Sequence, residues 1–107
     1  MHPSRRDDAG LKKVVREMGE DIGPGAFIRQ LTAVMGRADS RPTLAEIKCP
    51  TLVLTSDQDN TVPNSLSVEM AEGIAGAKLV TIPDCGHLSM IERPQAVADA
   101  LVEWLRI

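Results

Sequence analysis

Asp59 and His87 are the two side chains whose types and settings could do chemistry together. An imidazole works as a general base near neutral pH when one ring nitrogen faces the group it deprotonates. Its other N–H is then held by a carboxylate, which fixes the tautomer and stabilises the imidazolium. Asp59 lies in the acidic turn Ser56-Asp57-Gln58-Asp59-Asn60-Thr61-Val62-Pro63. His87 closes the stretch Pro83-Asp84-Cys85-Gly86-His87. Each turn follows a short apolar run, so each polar residue is delivered from the end of a strand. Asp57 is the alternative acid. Singly, a turn aspartate and a loop histidine read as turn-making residues; together, at the ends of two strands, they can work as a carboxylate–imidazole pair.

Other chemistries of the same loops fall short. Asp57-Gln58-Asp59-Asn60 has the acidity of a calcium loop but lacks its glycine and its distal glutamate. Cys85 with His87 supplies two zinc ligands at most. A cysteine two residues from its histidine on one loop is also badly placed as a nucleophile, so Cys85 reads as a small packed residue. No metal and no cofactor is expected. His2 reads as a solvated terminal residue, and Leu88, Met90 and Met35 as core or pocket lining.

The elements that must position the pair follow from the pattern. Thr51 to Thr55 is a short apolar run bounded by turn signals, as in a parallel-sheet strand buried on both faces. Pro50 suits its first position. Asn64 is placed to cap a helix over Ser65 to Ala75, with Leu66, Met70, Ala71 and Ile74 inward and Gly76 at its end. Lys78 to Ile82 is the second strand, so the unit is a strand–helix–strand crossover. Pro83 to Met90 is loop. Pro94 starts a last helix with Val97, Ala100, Leu101, Trp104 and Leu105 on one face.

Upstream, residues 1–9 read as a flexible start. Gly10 to Glu20 and Ala26 to Met35 have apolar residues at helical spacing, separated by the breaker Gly23-Pro24-Gly25. Asp39 to Pro42 is a linker, and Thr43 is placed to cap one helical turn through Ile47. Two parallel strands do not stand alone; such sheets need more strands and both faces covered. The pattern therefore predicts an α/β fold that is the end of a larger sheet.

At 107 residues this is one domain or part of one. A hydrophobic content of 43% with 25% charged residues is that of a globular chain rather than a disordered tail. Phe27 and Trp104 are the only aromatic residues, which argues against base stacking and nucleic-acid partners. The net charge is -3, and Arg5, Arg6, Lys12, Lys13 and Arg16 are interleaved with acidic residues, leaving no basic face. No run is long enough to span a membrane, none reads as a signal peptide, and Cys49 with Cys85 makes no disulfide framework. The expected compartment is the cytoplasm.

One continuous string carries a family resemblance. It runs from Ile47-Lys48-Cys49-Pro50-Thr51-Leu52-Val53-Leu54 through an acidic turn ending in Val62-Pro63. A helix follows, then Ala77-Lys78-Leu79-Val80-Thr81-Ile82-Pro83, Cys85-Gly86-His87, Ile91-Glu92-Arg93-Pro94 and a final amphipathic helix. This resembles the C-terminal part of the α/β-hydrolase superfamily over residues 43–107. The helical pair in residues 1–42 resembles, less specifically, the end of that fold's helical cap. The resemblance implies a partial α/β-hydrolase fold whose two strands are the last of the sheet. It gives Asp59 the catalytic acid's position, before the proline, and His87 that of the catalytic histidine. Asp57 falls where the family has a non-catalytic polar or acidic residue, and Ser56 where it most often has glycine.

The departure is as specific as the match. The family's nucleophile precedes the acid and sits in a G-x-S-x-G turn. None of Ser4, Ser40, Ser56, Ser65, Ser67 and Ser89 has that context, and the oxyanion-hole segment is missing as well. The chain is thus expected to be a C-terminal hydrolase fragment, inactive alone, handling a small ester-like substrate once completed. The alternative is a non-catalytic module that dimerises or binds a partner through its open strand edge and cap-like helices. A third reading is a small hydrolase assembled by oligomerisation around a recruited serine.

Overall fold

The computed structural model describes residues 1–106. Two short parallel strands form its centre: β1 (Leu52–Ser56) and β2 (Lys78–Ile82), in register from Leu52 against Lys78 to Ser56 against Ile82. Their ends match the sequence pattern to within a residue. Between them runs α2 (Asn64–Gly73), which packs on both strands, chiefly β1. A short helix α3 (Ser89–Glu92) and the helix α4 (Pro94–Leu105) follow β2, and α4 packs against that strand. The unit is a two-stranded parallel α/β arrangement, as the resemblance to part of the α/β-hydrolase fold implies.

The core is small. Val53, Ile74, Ile82 and Cys85 are its buried apolar residues, with Ile82 at 2% exposure and Cys85 at 0%. Each of the three aliphatic side chains contributes about 1.5–3 kcal/mol by leaving water. Of the residues predicted to face inward, Ile74, just past the end of α2, is buried, while Leu66 and Met70 are exposed and Ser67 is buried in the helix instead. Asn64 is not a cap either. It is the first residue of α2, and its Nδ2 donates to Thr55 Oγ1 and to the Ser56 carbonyl, both at 3.2 Å. The asparagine thus ties the helix start to the end of β1.

Upstream, the two predicted helices run together as α1 (Ala9–Gly36). The breaker survives as a kink, with Gly23 at φ 79° and ψ 164°. That left-handed φ is open to glycine, and Pro24 opens the next helical stretch where its missing N–H costs least. Asp8 caps the start by accepting from the Leu11 amide at 3.0 Å. None of α1 is buried. Met35, expected to line core or pocket, is 79% exposed, and Met90 is exposed as well. A 3-10 stretch, Arg41–Glu46, replaces the predicted turn. Thr43 donates to the Ser40 carbonyl rather than capping it.

The N-terminal residues depart furthest from expectation. His2 is buried, and Pro3–Arg5 forms a 3-10 turn. His2 N donates to Glu92 Oε1 at 2.8 Å, and Arg5 Nη1 donates to the Asp84 carbonyl at 2.7 Å. This segment lies directly on Gly86, whose lack of a side chain lets the backbones of Met1 and His2 approach. The burial rests on contacts with residues more than seventy positions away, which no local pattern carries.

Candidate active site

Where the parallel strands end, their loops stay zipped together. The Asp57 amide donates to the Ile82 carbonyl at 3.1 Å, and the Gln58 amide to the Cys85 carbonyl at 3.0 Å. The chain then turns at Asp59, whose Oδ1 accepts from the amides of Thr61 and Val62 at 2.8 and 2.9 Å. A short side chain that satisfies the amides just after it is the ordinary device of an aspartate turn. It leaves Oδ2 free, and Oδ2 meets His87 Nδ1 at 2.8 Å.

The pair is asymmetric in exposure. The Asp59 side chain is 11% exposed and that of His87 is 43% exposed. Burial raises the Asp59 pKa, but the Val62 amide, the His87 ring and the Thr61 amide together outweigh it. The carboxyl ends below its ordinary value. It is therefore ionised near neutral pH and can accept the Nδ1–H of a neutral imidazole. Nε2 then carries the lone pair, and among the described residues nothing occupies it. The site sits at the carboxyl ends of the strands, where open α/β sheets bind their ligands.

Asp57, the alternative acid, does not reach His87. Both its oxygens are engaged, Oδ2 with the Asp84 amide at 2.9 Å and Oδ1 with the Cys85 amide at 3.1 Å. Those two amides hold its pKa below the ordinary value despite an opposing contribution from burial. Cys85 is fully buried with its thiol toward the Gly86 carbonyl, in keeping with a packed residue.

The sequence assigned no role to Glu92 or Asp84, yet both shape the loop. The Glu92 side chain is fully buried. Its Oε1 accepts from Gly86 N at 3.3 Å as well as from His2 N. Asp84 has φ 54°, a left-handed value that aspartate tolerates better than most residues. Its carboxylate lies 3.0 Å from His2 Nε2 without the alignment of a hydrogen bond, with Arg5 and Arg93 at 3.4 and 3.5 Å. Ser4 Oγ lies 2.6 Å from His2 Nδ1, and the Ser4 amide donates to the same nitrogen at 3.0 Å. The His2 ring thus caps the 3-10 turn. Among the described residues, no group of three or more His, Cys, Asp or Glu is arranged to hold a metal, and no helix is long and apolar enough to cross a membrane.

A parallel crossover with an aspartate–histidine pair at its carboxyl edge defines the class. The sequence profile of the Alpha/beta hydrolase family matches residues 4–100, and the chain belongs to that family. It is similar to the 2-hydroxy-6-oxononadienedioate/2-hydroxy-6-oxononatrienedioate hydrolase of Escherichia coli, with 36% identity over 67 residues. That match covers 63% of this chain and 23% of the relative. Among solved structures it is similar to a thermophilic esterase from Thermogutta terrifontis, at 42% identity and TM-score 0.64, covering 66% of this chain and 26% of that one. A longer superposition joins it to MGS-MChE2, an alpha/beta hydrolase enzyme from a lagoon-sediment metagenome of Mar Chica, Morocco. There the identity is 27% and the TM-score 0.73, over 92% of this chain and 46% of the other. The chain spans about a quarter of the length of the curated relatives it matches.

Proposed function

We propose that this chain is the acid–histidine part of a hydrolase that cleaves esters or related bonds with a Ser/Asp/His-type triad. The observation that carries this reading is the 2.8 Å contact between Asp59 Oδ2 and His87 Nδ1, on a His87 side chain that is partly exposed. In the completed enzyme a nucleophilic hydroxyl loses its proton to Nε2 as its oxygen attacks the substrate carbonyl. Asp59 stabilises the imidazolium that results. The proton then passes from Nε2 to the leaving alcohol, and a water repeats the sequence to release the acid. The esterase and hydrolase relatives support the class of bond.

The nucleophile and the oxyanion hole are supplied by a part outside these 107 residues, either upstream in one polypeptide or in a second chain. Two observations support this. The chain covers a quarter of its relatives, and among the described residues only one edge of β1 is paired. On this reading residues 43–107 are the acid–histidine lobe and residues 1–42 a cap-like segment, in keeping with the absence of buried residues in α1. The competing reading is a non-catalytic association module; it is favoured by the exposed apolar residues of α1, Phe27 and Ile28 at 61% and 62%.

Co-expression with the nucleophile-bearing part of a related esterase, stripped of its own acid and histidine, separates them. Hydrolysis of an aryl ester by the mixture, absent from either part and abolished by His87→Ala, is the expected result. Asp59→Asn in the same mixture should lower kcat by roughly 10⁴, as loss of the orienting carboxylate does in such triads. Turnover that survives both substitutions, or a bound complex with none, sinks the catalytic reading.

A further inference from the structure

Three consecutive amides precede His87, those of Asp84, Cys85 and Gly86, and each donates to a carboxylate. The first two meet Asp57 at 2.9 and 3.1 Å, and the third meets Glu92 at 3.3 Å. We infer that Asp57 and Glu92 are positioning residues for His87, holding the amides of its loop so that Nδ1 meets Asp59. The inference rests on the acid–histidine reading above, and it assigns Asp57 a role distinct from that of the acid two positions later.

The backbone explains why carboxylates do this work. With Asp84 in the left-handed region, the amides of Asp84 and Cys85 converge on the one carboxylate of Asp57. Convergent amides attract anions, and a carboxylate offers two oxygens in one plane, one per amide. A neutral side chain at position 57 offers at most one well-placed acceptor. The buried neighbours Ile82 and Cys85 seat the base of the loop. Packing alone leaves its rotation loosely set, because the apolar contact has no preferred direction. The same turn aims His87, so a small rotation of the loop carries the ring off Asp59. Asp57 starts from a fixed frame, since its own amide is bonded to the Ile82 carbonyl. Glu92 is the less independent grip, because its Oε1 is shared with the amide of His2.

The test is nuclear magnetic resonance on the whole chain, with Asp57→Asn, Asp57→Ala, Glu92→Gln and Asp59→Asn beside the wild type. Two signals report on the pair: the exchange-protected Nδ1 proton of His87 and the carboxyl titration of Asp59. Both Asp57 variants should weaken or lose the Nδ1 signal and move the Asp59 titration up toward the ordinary aspartate value, with the β1–β2 amide signals retained. Glu92→Gln keeps an acceptor oxygen and should leave both signals close to wild type. Unchanged signals in folded Asp57 variants overturn the inference. So does loss of the fold in both variants, which makes Asp57 a folding residue. Asp59→Asn distinguishes the deeper failure: if it too leaves the Nδ1 proton in place, the Asp59–His87 pairing itself is wrong. If it removes that proton while the Asp57 variants do not, only the positioning role fails.

Discussion

Asp57 and Asp59 share a side chain, a turn and a lowered pKa, and they do different work. Asp59 spends one oxygen on its own turn and the other on the imidazole; Asp57 spends both on the opposite loop. In the sequence it was the resemblance to the α/β-hydrolase pattern that singled out Asp59, by its place before the proline in the turn after the strand. The work of Asp57 was hidden there, since it depends on the left-handed backbone of Asp84 across the sheet. The two carboxyls make a shared prediction about acid. Each has a folded pKa below its unfolded one, so each contributes stability that is fully present above the unfolded value. That contribution is lost as pH falls through the folded value. The thermal midpoint of the chain should therefore hold steady from pH 7 to about pH 5 and drop below about pH 4, where aspartate protonates. Circular dichroism melts across that range measure it. Asp57→Asn should melt lower at pH 7 and show a shallower acid drop, because one of the carboxyls with a lowered pKa is gone.

At the scale of elements, strand positions were legible and packing faces were not. A run such as Leu79-Val80-Thr81-Ile82 between a glycine turn and a proline has few other fates. The face that α2 turns to the sheet is decided by the sheet itself, and the apolar pattern Leu66, Met70 and Ile74 pointed only partly the right way. Ile82 is the clearest structural test, being buried at the last rung of β2, where the His87 loop departs. Ile82→Ala should cost about 2–5 kcal/mol, the range for emptying a buried aliphatic site. Against a total stability of roughly 5–15 kcal/mol for an ordinary domain, that is enough to shift a urea midpoint far to the left. Gly86→Ala tests the N-terminal segment. Its new methyl group meets the backbones of Met1 and His2, which no rotamer change can relieve. The expected outcome is release of residues 1–5 with the two strands intact, read as faster amide exchange at His2 and Arg5 and as trypsin cleavage after Arg5 or Arg6.

At the scale of the whole molecule the chain is too open for its mass. A monomer of 11.6 kDa should expose about 5,800 Å², yet 7564 Å² is exposed. Its Cα radius of gyration is 15.7 Å, where about 13 Å is usual for this length. The surplus of about 1,700 Å² is comparable to what a stable interface buries in total. Much of the exposed apolar surface lies on α1, where Phe27, Ile28, Leu31, Val34 and Met35 recur at helical spacing and all face solvent. Such a stripe on an isolated chain drives association, whichever partner it serves in the complete protein. Light scattering should give the 107-residue chain a mass above that of the monomer at micromolar concentration. Replacing Ile28 and Met35 together by Glu should return it toward the monomer. Both positions are exposed and glutamate is a good helix former, so the melting temperature should move little. A wild-type chain that runs as a clean monomer with one cooperative transition would show that the open surface is tolerated as it stands, and would remove α1 as an association surface.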